Sequence, residues 1–278
     1  MDGRRLGWSE WGDAHGAPVL FCTGAGMTSS FGFGADAIRE LGARLICIDR
    51  PGLGGSTPDP DKSLVSYARD VTAVLRSEGI VRPAVVGFSQ GAPFAVAVAG
   101  VNAVSAVALV AGQDELAYPP TKRLLHPDVA GLVAAIEADR EGFEASFASR
   151  VDAEGLWSLI IGMSAPEDRA LYNEPAFAAA YRRSLAEGFA QGPAGYVRDL
   201  TLAMSRWSTQ PEALAVPVSL WYGKRDTSPV HSPDLGATLS SRFPHASLHV
   251  LPDEGGSLLW TRSRDILREL VGRVTARY

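Results

Sequence analysis

Short, largely apolar runs alternate along this chain with segments whose apolar residues recur at helical spacing. The runs at 18–22, 44–48, 84–86, 104–110, 216–222 and 246–251 read as strands, with 84–86 and 104–110 read as buried ones. Residues 36–41, 66–77 and 92–99 read as helices, the second with Tyr67, Val71, Val74 and Leu75 on one face. Residues 4–11 predict an edge hairpin strand and 258–274 a final amphipathic helix. Apolar strands that alternate with helices predict a doubly wound parallel sheet. From about 115 to 207 the texture changes. No strand-like run occurs there, and helical patterns cover 128–139, 142–150, 154–161, 167–172, 176–189 and 194–205. Pro127, Gly142, Pro166, Pro175 and Gly192-Pro193 punctuate them. The expected organisation is a core in two parts, 1–114 and 208–278, interrupted by an all-helical cap at 115–207.

Residues 92–112 carry no charge and are long enough to be weighed as a membrane span. Gly100, Asn102 and Ser105 interrupt them, and the period shifts from helix-like to strand-like, so a buried helix followed by a central strand is the expectation. A chain of 278 residues can bury one large core. A net charge of -5 offers no basic footprint for nucleic acid or an anionic membrane. The two cysteines, Cys22 and Cys47, both lie in apolar runs and read as buried thiols. With no apolar leader after residues 1–5, a cytoplasmic location is expected. The scattered histidines lack ligand spacing, and the Gly-rich 52–55 segment lacks a P-loop lysine, so neither metal nor cofactor is expected.

The chemistry centres on Gly87-Phe88-Ser89-Gln90-Gly91. A G-x-S-x-G between an apolar strand and a helix is a nucleophile elbow, which lifts the serine hydroxyl into a pocket. The flanking glycines suit a strained turn that leaves little room for Cβ atoms. Around it stand a small-residue loop, Thr23-Gly24-Ala25-Gly26-Met27, after the first buried strand, and Asp49-Arg50-Pro51-Gly52-Leu53-Gly54-Gly55-Ser56 after the next. Gly223-Lys224-Arg225-Asp226 follows a later strand, and Glu254-Gly255-Gly256-Ser257 follows the last. In motif and order the chain resembles the α/β-hydrolase superfamily along nearly its whole length. The resemblance implies a mostly parallel, doubly wound eight-stranded sheet with an inserted helical cap. It implies Ser89 as nucleophile and Asp226 as the acid that orients the base. It also implies an oxyanion hole from the backbone N–H groups of Ala25 and Gln90, with Thr23-Gly24 in place of the usual His-Gly.

The sequence departs from that pattern at the base. The family's histidine follows the last strand, and Gly256 stands at that position. Three explanations are open. In order of preference they are a substitution engineered into an active enzyme, a natural loss in a binding protein, and an imidazole supplied from elsewhere. His15, His126, His231, His245 and His249 are the candidates for the last, with His231 shortly after Asp226. The leading expectation is therefore a serine-dependent acyl hydrolase acting on an ester, thioester, lactone or amide through acyl-Ser89, disabled by Gly256. The alternatives are an acyltransferase and a catalytically dead ligand-binding protein. The expected partner is a small-molecule acyl substrate, free or carrier-protein-bound. An aromatic- and Met-bearing cap suggests an apolar pocket, with Met27, Phe88, Trp157, Met163 and Gln90 as its expected lining.

Overall fold

The computed structural model describes residues 3–276. Seven strands form one sheet: β1 (Trp8–Gly12), β2 (Ala17–Cys22), β3 (Ala43–Ile48), β4 (Ala84–Phe88), β5 (Val107–Val110), β6 (Val218–Gly223) and β7 (Ala246–Leu251). Their order is β1-β3-β2-β4-β5-β6-β7, and every pairing is parallel except β1 with β3. The strand count among the described residues is thus seven, not eight. The N-terminal strand also does not form a hairpin with its neighbour in sequence. Both edges of β2 are taken by β3 and β4, so β1 pairs with the free edge of β3, Trp8 opposite Ile48.

Six helices belong to the sheet: α1 (Ala35–Leu41), α2 (Leu64–Ser77), α3 (Gly91–Val101), α11 (Ala237–Ser240), α12 (Leu258–Thr261) and α13 (Ser263–Thr275). The expected single C-terminal helix is broken at Arg262. Side chains alternate across a strand. Val19 and Phe21 accordingly pack with Ile38 of α1 and Leu267 of α13, while Leu20 and Cys22 pack with Val71 of α2 and Phe94 of α3. A capping box starts α2, where the Ser63 hydroxyl accepts from Ser66 N and the Ser66 hydroxyl accepts from Ser63 N. The uncharged stretch at 92–112 is divided between α3 and β5, and among the described residues no helix is long and apolar enough to cross a membrane.

Between β5 and β6 the described chain is helical: α4 (Pro119–Lys122), α5 (Pro127–Ala138), α6 (Arg140–Ala148), α7 (Ala153–Met163), α8 (Pro166–Tyr172), α9 (Pro175–Gly188) and α10 (Ala194–Met204). Proline in the first turn starts α4, α5, α8 and α9, where its missing N–H costs no hydrogen bond. These helices are stitched to the sheet at backbone range. A Cβ at Gly188 of α9 would lie 2.0 Å from the Gly26 carbonyl, and one at Gly195 of α10 would lie 2.4 Å from that of Gly52. Thr28 N donates to Ser184 Oγ at 2.9 Å, and Thr28 Oγ1 donates to Glu187 Oε2 at 2.9 Å. Helix α9 therefore rests directly on the loop that follows β2.

Candidate active site

Ser89 sits at the end of β4 with φ +50, a left-handed backbone that a residue with a Cβ rarely adopts. The glycines on either side make this turn possible. A Cβ at Gly91 would come within 2.1 Å of the Cys22 carbonyl oxygen, and one at Gly87 within 2.7 Å of the Ala95 Cβ. Helix α3 can start against β2 only because both positions lack side chains. The turn is closed from the next strand: Ser89 N donates to Val110 O at 3.1 Å, and Gln113 N donates to Ser89 O at 2.9 Å.

An imidazole does reach Ser89, and it comes from the acid's own loop. His231 Nε2 lies 2.9 Å from Ser89 Oγ, and His231 Nδ1 lies 2.6 Å from Asp226 Oδ2. With Asp226 as an acceptor-only carboxylate, Nδ1–H donates to it and Nε2 is left to accept from the serine hydroxyl. The loop after β6 folds back to allow this. Ser228 N donates to the other Asp226 oxygen at 2.9 Å, and His231 N donates to Ser228 O at 3.3 Å. Ser232 then anchors the far side, its N donating to Gly112 O and its hydroxyl to Asp114 Oδ2. The side chain of His231 is only 11% exposed. This geometry overturns the expectation that Ser89 lacks an imidazole partner. The third explanation, an imidazole supplied from elsewhere, fits this geometry, and His231 is the histidine in contact.

Gly256 lines the same cavity but plays a different part. Its N–H donates to Asp168 Oδ2 and that of Ser257 to Asp168 Oδ1, both at 2.9 Å, so a buried carboxylate from α8 occupies the head of this loop. Gly255 must also lack a side chain, because a Cβ there would meet Asp168 Oδ1 at 2.3 Å. A Cβ at Gly256 would lie 3.0 Å from Asp226 Oδ1. The 254–257 loop therefore serves as a receptor for the helical segment.

The loop after β2 is held by a buried charge network. Arg50 donates from Nη2 to Gly24 O at 2.8 Å, from Nη1 to Thr23 O at 2.7 Å, and from Nε to Asp199 Oδ2 at 2.7 Å. Lys62 Nζ lies 2.5 Å from Asp199 Oδ1. One carboxylate thus serves two cations. Burial alone would lower the Arg50 pKa, but the charge and hydrogen bond of Asp199 more than offset it and the pKa is raised. For Lys62 burial wins and the pKa falls to about 8. In a trans peptide the Ala25 N–H points opposite to the Gly24 carbonyl, so the grip of Arg50 turns that N–H away from itself. Neither the Ala25 nor the Gln90 N–H finds an acceptor among the described residues. The Thr23 hydroxyl, where the resemblance leads one to expect histidine, donates to Met27 O at 3.0 Å and accepts from Arg50.

A cavity of about 170 Å³ opens over Ser89, with Ala25, Gln90, Asp226 and His231 in its wall. Of the expected lining, Phe88, Gln90 and Met163 are present. Met27 and Trp157 are not. Met27 is buried in the core, its sulfur beside Gly24, and Trp157 packs edge-on against Tyr181, the ring that does face the cavity. Tyr172, Tyr181 and Phe88 belong to an aromatic cluster around Trp260, with Phe88 4.9 Å and Tyr172 6.0 Å from it between ring centres. Cys22 and Cys47 are buried and unpaired, and burial raises the Cys22 pKa to about 12. Among the described residues no cluster of three His, Cys, Asp or Glu could hold a metal ion.

No curated protein sequence matches the chain. Solved structures match it over nearly its full length at low identity. The enol-lactonase from Burkholderia xenovorans LB400 superposes with TM-score 0.72 at 19% identity, covering 99% of this chain and 98% of that one. The esterase from Exiguobacterium antarcticum gives 0.67 at 19%, covering 99% and 97%. A putative non-heme bromoperoxidase from Mycobacterium tuberculosis H37Rv gives 0.69 at 20%, covering 98% and 97%. The family model for the alpha/beta hydrolase fold matches residues 17–263, and the chain belongs to that family.

Proposed function

We propose that this protein is a serine-dependent acyl hydrolase whose general base is His231, with residues 115–207 as a cap over the site. The observation that carries the reading is the continuous contact from Ser89 Oγ through His231 to Asp226. His231 Nε2 takes the hydroxyl proton as Ser89 Oγ attacks an ester or lactone carbonyl. The Ala25 and Gln90 N–H groups, left without acceptors, hold the oxyanion of the tetrahedral intermediate. The imidazolium, oriented by Asp226, protonates the leaving oxygen and leaves acyl-Ser89. Water, deprotonated by His231, attacks the acyl carbonyl, and the returning proton restores Ser89 as the acid departs. The esterase and the enol-lactonase among the structural neighbours accord with this reading. The lining is mostly apolar, with Leu132, Leu156, Ile160 and Leu200 among it, which suits an apolar acyl body. The test is a fluorophosphonate adduct followed by intact mass, together with release of free acid from an aryl ester. Both are expected in the protein as it stands and both are lost in Ser89→Ala. Absence of an adduct and of hydrolysis in the unaltered chain would overturn the proposal.

A further inference from the structure

Two polar side chains in the cavity wall have no role in the chemistry above. Gln90 and Gln113 are each 2% exposed and both line the cavity. Gln90 Oε1 and Gln113 Nε2 are buried without a hydrogen-bond partner, and neither carboxamide bonds to any group among the described residues. Both are tied to the nucleophile through the backbone: Gln90 follows Ser89 directly, and Gln113 N donates to Ser89 O at 2.9 Å. Buried amides are ordinarily satisfied, because leaving them unpaired forfeits the hydrogen bonds they make to water. Two unpaired carboxamides beside one nucleophile, in a wall that is mostly apolar, have the form of a site that a ligand completes.

We propose that Gln90 and Gln113 bind a neutral hydrogen-bonding group of the substrate, an amide, keto or hydroxyl function carried within a few bonds of the scissile carbonyl. The inference rests on the acyl-hydrolase reading and names its substrate class: an apolar acyl chain interrupted by one uncharged polar group near the ester or lactone. A carboxamide offers both a donor and an acceptor and carries no net charge, so it matches such a group and not an ion. The remaining wall points the same way. No Lys or Arg lines the cavity to receive an anion, and the Asp168 carboxylate faces it with both oxygens already bonded to backbone N–H groups. A site built to bond a polar group discriminates steeply against an analogue that lacks it, because its own groups are then left unpaired.

The experiment compares kcat/KM for p-nitrophenyl esters of N-butanoylglycine, heptanoic acid and heptanedioic acid (as the free-acid half ester), each normalised to its rate of alkaline hydrolysis. The first two acyl chains have the same length and differ by one amide, and the third ends in a charge. The unaltered protein is expected to prefer the amide-bearing ester to the heptanoate by about 10-fold or more, and to disfavour the anionic ester. Gln113→Leu and the closer isostere Gln113→Met should each remove most of that preference, chiefly by losing activity on the amide ester. Fluorophosphonate labelling of Ser89 is measured on every variant. Labelling and hydrolysis with no amide preference, or a preference unchanged in both variants, would overturn the glutamine site alone and assign its hydrogen bonds to trapped water. Loss of labelling and hydrolysis in the unaltered protein would instead overturn the acyl-hydrolase reading, and this inference with it.

Discussion

Asp199→Asn tests the link between the helical segment and the chemistry. Asp199 is fully buried on α10 and is the carboxylate partner of both Arg50 and Lys62. Asparagine keeps its shape and one acceptor but removes the charge. Lys62, with a pKa already lowered to about 8, answers by releasing its proton. Arg50 cannot do so, and its guanidinium is left buried and uncompensated. Removing one partner of such a pair costs about 3–5 kcal/mol, which lowers Tm by roughly 6–20 °C at ~2–4 °C per kcal/mol for a domain of this order of size. The structure adds a kinetic expectation. Arg50 also holds the carbonyls of Thr23 and Gly24, so losing its anchor lets the Ala25 N–H drift from the position where charge develops. Loss of one oxyanion donor lowers kcat by ~10²–10³. Calorimetry gives the first number, and steady-state hydrolysis of an aryl ester well below the new Tm gives the second. A wild-type Tm would refute the account of the ion network. A lowered Tm with unchanged kcat would refute its connection to Ala25.

Other outcomes follow from burial and close approach. Burial raises the Asp114 pKa from 3.8 to about 6. Between those values the folded state binds the extra proton, so this group's stabilising contribution is complete below pH 3.8 and lost as pH rises through 6. The stability of the wild type relative to Asp114→Asn should therefore fall by on the order of 3 kcal/mol from pH 3.5 to 7 in chemical denaturation, and a pH-independent difference would contradict it. Gly91→Ala would push a Cβ to 2.1 Å from the Cys22 carbonyl and should destabilise by about 3 kcal/mol or more. Gly131→Ala, in open space within α5, should stabilise by about 0.5–1 kcal/mol in the same melts. Equal and opposite shifts from this order would show that the glycines at the elbow are not sterically required.

The sheet was legible because its central strands are buried on both faces and so are continuous apolar runs, as in Val85-Val86 and Val107-Ala108-Leu109-Val110. The elbow was legible because steric demand fixes glycine at 87 and 91. The imidazole that meets Ser89 was not found at its place in the sequence pattern because such a contact is set by geometry and not by spacing. His231 follows the acid by five residues in a loop closed by Ser228 and Ser232, and only the fold shows that this loop turns back over Ser89. The clue in the sequence was a histidine close behind Asp226. The significance of Gly255 was hidden for the same reason, since the carboxylate of Asp168, which also accepts from Gly256 N across 88 residues of chain, is what needs the space. Pocket lining was only partly readable. Aromatic and Met residues in a helical segment announce packing, and whether Tyr181 or Trp157 faces the cavity depends on helix rotation, which the sequence does not specify.

The most direct measurement is kcat on an aryl ester for the unaltered chain, His231→Ala and Gly256→His. If His231 is the base, the unaltered chain turns over, His231→Ala loses on the order of 10⁵–10⁶ in kcat, and Gly256→His gains nothing. Activity that survives in His231→Ala, or that appears only when histidine is placed at 256, would contradict the account at its centre.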